Sequence, residues 1–276
     1  MQDLSGANAL VTGGSGGIGA HIARALARAG VNVVVSGRRE QALAGVVDEL
    51  RDAGVRAEAV AADLYERSQV DGLIARSETA LGPLDLLINN AGVEEASSFT
   101  RYTPDELTSM IDVNLTAPVL LTHSVLPGML ERGRGHVVFI SSVAGKQGQA
   151  YQVPYAATKA GLIGVTQSLR AQYRDSPVGF SVVCPGFVAG DGMYQRMLEE
   201  GMSSNRLMGA TTIDKVANAV IEAIRRDRPE AIESGGPLRP LLALAQLAPR
   251  APEWLMPRIG ATALFRRAAA ARGRES

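Results

Sequence analysis

The segment Thr12-Gly13-Gly14-Ser15-Gly16-Gly17-Ile18-Gly19 constrains this chain more than any other. It follows an apolar run, Ala7 to Val11, and precedes a helix-like stretch from Ala20, so it forms the turn of a strand–turn–helix unit. Glycines let the backbone turn sharply there, and the amide groups opening the next helix offer a seat for an anion. Two spacings coexist: Gly14, Gly16 and Gly19 fit G-x-G-x-x-G, while Gly13, Gly17 and Gly19 fit T-G-x-x-x-G-x-G. Either brings backbone close to a pyrophosphate. A dinucleotide site is therefore expected, rather than an ordinary glycine-rich turn.

The same alternation continues down the chain. Apolar runs at 7–11, 31–36, 55–60, 84–89, 136–141 and 178–184, with a weaker one at 230–233, predict strands. They are continuous rather than alternating, as in strands covered on both faces. Helices are predicted near 17–29, 40–53, 66–80, 104–131, 154–174 and 213–227. The pattern implies an α/β fold, a doubly wound parallel sheet of the Rossmann type in three α/β/α layers. After residue 233 the character changes. Gly235, Gly236 and prolines at 237, 240, 249, 252 and 257 surround the apolar stretch Leu241 to Ala248. The expected division is a catalytic domain over 1–233 and a helical C-terminal extension over 234–276. From 231 onward seven arginines face Glu233, Glu253 and Glu275, so this part is basic.

Composition removes several classes. Lys plus Arg and Asp plus Glu are 28 each in 276 residues, so no bulk positive field draws a nucleic acid. One cysteine, Cys184, cannot form an intrachain disulfide. No basic leader and no run of about 20 apolar residues is seen, so a soluble, cytoplasmic protein is expected. His21, His123 and His136 have no metal-ligand spacing, so no metal is expected.

At the end of the second strand stands Ser36-Gly37-Arg38-Arg39, where a carboxylate would grip a ribose 2′-hydroxyl. Guanidinium forks suit a 2′-phosphate, so NADP(H) is favoured over NAD(H), although Glu40 is near enough to serve a ribose. Farther on, Tyr155 and Lys159 are four apart in a helical stretch and project from one face. Ser142 lies thirteen positions before Tyr155, just past a strand. A phenol near pKa ~10 becomes a working acid or base if a neighbouring ammonium favours its anion. Taken alone the pair is no more than surface decoration.

With Asp63-Leu64 after the third strand, Asn89-Asn90-Ala91-Gly92 after the fourth, Asn114 in the long helix and Pro185-Gly186 after the sixth, the chain resembles the short-chain dehydrogenase/reductase family. The motifs come in the family's order over about residues 5–230. The resemblance implies that Tyr155 exchanges a proton with the substrate oxygen, Ser142 hydrogen-bonds the carbonyl, and Lys159 holds the nicotinamide ribose and lowers the Tyr155 pKa. Asn114 would anchor a water leading from Lys159. For the cofactor, Gly13, Ser15, Gly16, Gly17, Ile18 and Gly19 would form the cradle, with Arg38 and Arg39 at the 2′-phosphate. Asp63 and Leu64 would meet the adenine, Asn90, Ala91 and Gly92 the adenosine ribose, and Pro185, Gly186 and Val188 the carboxamide.

Two departures stand out. Gly190 occupies the place of a family Thr that serves the carboxamide, which puts that contact in doubt. The chain also continues about forty residues past Gly235-Gly236, which implies an altered tetramer interface and a homodimer through helices 104–131 and 154–174. The expected activity is NADP(H)-dependent interconversion of a small-molecule carbonyl and a secondary alcohol. Met193, Met197, Met202 and Met208 suit a hydrophobic, steroid- or lipid-like substrate, or merely pack a lid onto the core. Glu94, Glu95, Val143 to Gln149 and Tyr151 are further pocket candidates. Trp254, Leu255, Ile259, Leu264 and Phe265 among Arg258, Arg266 and Arg267 suit docking within the protein, with peripheral membrane contact as the alternative. A non-catalytic NADP(H) sensor is the competing class, though it has no use for the Ser142, Tyr155 and Lys159 trio. A sugar-nucleotide epimerase is disfavoured by Arg38 and Arg39.

Overall fold

The first apolar run divides between two cores. In β1 (Asn8–Thr12) the side chains of Ala9 and Val11 join one buried cluster and Leu10 joins another. That is the signature of a strand covered on both sides, whose successive residues alternate across the sheet. In this computed structural model residues 2–190, 209–236, 238–248, 250, 253, 258 and 261–275 are described.

From β1 the chain runs through α1 (Gly17–Arg28) to β2 (Asn32–Gly37) and through α2 (Glu40–Asp52) to β3 (Ala57–Ala61). It then crosses by α3 (Arg67–Asp71) and α4 (Leu73–Leu81) to β4 (Leu86–Asn89), on the far side of β1. Next come α5 (Pro104–Ile111), α6 (Ala117–Glu131), β5 (Gly135–Ile140), α7 (Val153–Gln172), β6 (Val178–Pro185) and β7 (Phe187–Ala189). The chain continues with β8 (Ala210–Thr212), α8 (Ile213–Arg225), β9 (Glu230–Glu233), α9 (Leu238–Leu247) and α10 (Ala261–Ala271).

The seven strands β3-β2-β1-β4-β5-β6-β9 pair in parallel in that order, and β7 pairs separately with β8. This is the doubly wound sheet. Its order reverses between β1 and β4, which opens a crevice at the carboxyl ends of the strands. On one face, Ile22 and Leu26 of α1, Leu43 and Val47 of α2, and Val216 and Val220 of α8 cover Val33, Val35 and Ile88. On the other, Leu73 of α4, Leu121 and Met129 of α6, and Leu162 of α7 cover Val34, Leu87 and Phe139.

Two predicted helices differ from expectation in ways that matter. The stretch predicted at 66–80 divides at Gly72 into α3 and α4. The one at 104–131 holds a π turn at Asp112–Thr116 between α5 and α6. Its start is fixed by a capping box: Thr103 Oγ1 accepts from the Glu106 amide at 3.3 Å, and Glu106 Oε2 accepts from the Thr103 amide at 2.8 Å. Against the expectation of no membrane-length apolar run, Pro104–Glu131 is long and apolar enough to cross a bilayer. Here it is a core element, half buried against the sheet and α7.

Candidate active site

The glycine turn after β1 is shaped by contact with its neighbours. Gly13 and Gly17 have φ of +67° and +51°, left-handed values that L side chains rarely adopt. A Cβ on Gly19 would fall 2.2 Å from the Gly13 carbonyl oxygen. Gly16, by contrast, is extended at φ 166°. A Cβ on Gly14 would fall 2.9 Å from Val35 Cβ, so the turn needs glycine at 13, 14, 17 and 19 and leaves Gly16 the least constrained. Thr12 ties this turn to β4, its hydroxyl accepting from the Asn90 and Ala91 amides at 3.0 and 3.1 Å. Asn90 Nδ2 donates to the Thr12 carbonyl at 2.9 Å.

Beyond the turn an open groove of about 740 Å³ runs over the ends of β1, β2 and β3, lined by Ser15, Arg38, Arg39, Asp63, Leu64 and Tyr65 among others. Arg39 Nη2 reaches the Ser15 carbonyl at 3.3 Å and its hydroxyl at 3.4 Å. The Arg38 guanidinium lies 5.5 Å from the centre of the Tyr65 ring. Glycines that leave no room for a Cβ, then a hydroxyl and two guanidinium groups at the groove's outer end, fit a dinucleotide with a 2′-phosphate. Tyr65 was not legible in the sequence; an aromatic two residues beyond Asp63 was the available signal.

At the inner end lies a cavity of about 160 Å³, lined by Ser142, Gln149, Gln152, Tyr155, Phe187 and Phe265 among others. Tyr155 and Lys159 project together from the first turns of α7, and Ser142 follows β5. The Ser142 hydroxyl faces the same cavity as the Tyr155 phenol, and its Oγ accepts from the Ala144 amide at 3.1 Å. Lys159 Nζ donates to the Ile140 carbonyl at 2.9 Å, and Ser141 Oγ donates to the Lys159 carbonyl at 2.7 Å, which fastens α7 to β5. Burial dominates the electrostatics. It pushes the Tyr155 phenol above its ordinary value, against a lowering by Ser142, and pulls Lys159 down to about 8. In the ligand-free protein enclosure disfavours both charged forms.

Asn114, fully buried in the π turn, clamps Val93: its Oδ1 accepts from the Val93 amide at 2.7 Å and its Nδ2 donates to the Val93 carbonyl at 2.8 Å. Gly92 lies between the two groups, since a Cβ there would be 3.3 Å from both Asn114 Oδ1 and Lys159 Nζ. Gln152 donates to Glu94, and Gln149 Oε1 is buried without a protein partner. Gly186 donates its amide to the Glu233 carbonyl at 2.8 Å, and Val188 pairs with Thr211 in the small sheet. At Gly190 φ is +117°, so a β-branched residue would be strained there; glycine replaces the family Thr for a backbone reason.

The four methionines proposed as a lid, and Trp254, Leu255 and Ile259, lie outside the described residues. The rest of the extension reaches the site. Leu264, Phe265 and Ala268 of α10 are buried against Ala96, Tyr151 and Phe187, and the Phe187 and Phe265 rings stack with centroids 6.2 Å apart. The sequence alone assigns Phe265 to the tail and gives no reason to single out Phe187.

Such a fold and site define a nicotinamide-dinucleotide oxidoreductase. A family model for short chain dehydrogenases matches residues 7–200. The ketoacyl reductase HetN of Nostoc sp. is 39% identical over 90% of this chain and 88% of its own. A putative ketoacyl reductase of Streptomyces coelicolor is 40% identical over 65% and 70%. Among solved structures, a variant of actinorhodin polyketide ketoreductase with NADPH superposes with a TM-score of 0.77 and 31% identity, covering 86% of this chain and 98% of that one. A metagenomic short-chain oxidoreductase in complex with NADP gives 0.70 and 34%, covering 83% and 97%. This chain belongs to the short-chain dehydrogenase/reductase family.

Proposed function

We propose that the protein interconverts a carbonyl and a secondary alcohol with NADP(H), on a hydrophobic, lipid-like substrate. The observation that carries this reading is the buried Ser142, Tyr155 and Lys159 cluster, in an apolar cavity at the inner end of a glycine cradle that finishes in Ser15, Arg38 and Arg39. The nicotinamide, when bound, supplies or accepts the hydride. Tyr155, held protonated by burial, gives its phenolic proton to the substrate oxygen in reduction and takes it back in oxidation. Ser142 donates to that oxygen and fixes its distance from Tyr155. Lys159 orients the nicotinamide ribose, and Asn114 holds the 92–93 backbone beside it and anchors the water through which the site exchanges protons. Asp63 with Leu64 takes the adenine, Asn90 to Gly92 the adenosine ribose, and Pro185, Gly186 and Val188 the carboxamide.

Relatives named ketoacyl reductases and the apolar lining together support a β-ketoacyl group as substrate. Residues 1–233 are the catalytic unit and 234–276 an extension, whose α10 packs on that unit. Buried Leu264 and Phe265 are turned into the protein, which supports docking over membrane contact. Exposed Ile111, Val119 and Val153 on α5, α6 and α7 support a homodimer through those helices. The buried thiol of Cys184 suits a reducing compartment such as the cytoplasm.

The test is consumption of NADPH, with NADH alongside, against β-ketoacyl thioesters, medium-chain ketones, quinones and ketosteroids. Turnover of a carbonyl, lost by about 10²–10⁴-fold in Tyr155→Phe while NADPH still binds, is the expected result. Tight NADPH binding with no turnover would instead point to the sensor.

A further inference from the structure

The extension does more than cover the domain. Phe265 of α10 lines the same cavity as Tyr155 and Ser142, stacked on Phe187, with ring planes 24° apart. That cavity is also lined by Gly92, Lys159, Pro185, Gly186 and Val188, which the reading above gives to the cofactor, so the substrate is left the part beside Tyr155, Phe187 and Phe265, where Phe265 forms a wall.

Besides this packing, Arg274, three residues past the end of α10, clasps it to the domain. Arg274 forms an ion pair with Glu95, donates to Glu106 Oε2 at 2.6 Å and to the Arg101 carbonyl at 3.3 Å, and sits 5.3 Å over the Tyr102 ring. Its carbonyl accepts from the Ser98 amide at 2.9 Å. Glu106 is also the carboxylate of the α5 capping box, so the clasp grips the start of the helix leading to Asn114. Beside α10, Tyr151 adopts φ +66°, uncommon for a non-glycine residue, with its carbonyl accepting from Ser97 at 2.9 Å and its side chain packed on the α10 cluster. α10 thus braces the loop that leads into Tyr155.

We propose that α10 selects the substrate: Phe265 is a specificity-determining wall that admits straight β-ketoacyl chains and excludes fused-ring ketones, and Arg274 is the positioning residue that seats it. This rests on the carbonyl-reduction reading. Full-length wild type, Phe265→Ala, Phe265→Trp, Arg274→Ala and Arg274→Lys are compared on 3-oxohexanoyl-N-acetylcysteamine and trans-1-decalone with NADPH. The expected result is that Phe265→Ala and Arg274→Ala shift relative kcat/KM toward the decalone by at least about tenfold, chiefly through KM, with NADPH affinity unchanged. Phe265→Trp moves the ratio the other way. Arg274→Lys, which cannot make the forked contact, falls between. Hydrogen exchange in Arg274→Ala rises across 262–272.

An unchanged ratio in folded Phe265→Ala and Arg274→Ala protein would overturn the inference. Should Phe265→Ala melt early, Phe265→Leu and Phe265→Trp carry the comparison. If wild type reduces neither ketone, the carbonyl-reduction reading fails for these compounds. The inference is then decided by ligand-observed NMR affinities in the Tyr155→Phe background: equal decalone binding with and without Phe265→Ala sinks it.

Discussion

Lys159 Nζ lies 5.6 Å from the centre of the Tyr155 ring, and both groups are enclosed rather than solvated. Enclosure keeps the phenol protonated and loosens the proton on the ammonium, which it holds to about pH 8. We expect ¹⁵Nζ NMR of the ligand-free protein to show Lys159 titrating near that value, where an ordinary lysine titrates near ~10.4. Alcohol oxidation, which needs the phenolate, is expected to rise with pH through the alkaline range, while carbonyl reduction falls. A flat oxidation profile would remove Tyr155 from the proton transfer.

Gly19 leaves no space for a side chain. With the Gly13 oxygen 2.2 Å from the position of a Cβ, Gly19→Ala must push α1 away from the turn. A stability loss of about 1–3 kcal/mol is expected by thermal melting, with weakened NADPH binding by fluorescence titration. Gly45→Ala, at an exposed position inside α2 where nothing lies within 4 Å of the added atom, is the control: it should raise stability by about 0.5–1 kcal/mol and leave NADPH binding unchanged.

At the outer end of the groove the preference between nucleotides is set by charge. Replacing Arg38 by Ser removes one guanidinium and its stacking on Tyr65, and should raise the NADPH dissociation constant about 10- to 100-fold. NADH has no 2′-phosphate and should be little affected. Equal loss for both nucleotides, measured side by side, would mean that Arg38 serves the fold instead.

His136 predicts an acid limit to stability. The ring is 1% exposed, with Nε2 2.8 Å from Ser181 Oγ, and desolvation lowers its pKa from 6.5 to about 4. The unfolded chain takes up a proton that the buried ring refuses, so its contribution is complete above pH 6.5 and is lost as the pH falls toward 4. The loss is about 3 kcal/mol. Urea melts of wild type and His136→Gln should converge in their pH slopes only if another group is responsible.

Much of the architecture was legible because local signals agreed. The strand runs, the glycine turn and the Thr103-Pro104 helix start each mark one element, and the structure places them accordingly. The site was legible where chemistry has a fixed spacing, as with Tyr155 and Lys159 on one helical face. It was not legible where residues meet only through the fold. Phe187 and Phe265 are 78 positions apart, and Glu95 and Arg274 are 179 apart; nothing local marks either pair. The burial that raises the Tyr155 pKa was not legible either, because burial is a property of the assembled protein.

The π turn at Asp112–Thr116 carries one residue more than an α-helical turn would, and this sets the rotational phase of everything after it. Each helical residue turns the chain by about 100° and advances it about 1.5 Å. Deleting a single residue there would relax the turn into α-helix and swing Leu121, Val125 and Met129 off the sheet, exchanging them for neighbours now in water. The segment's length is therefore fixed from both ends: Asn114 sets where the bulge must be, and the phase of α6 forbids its repair.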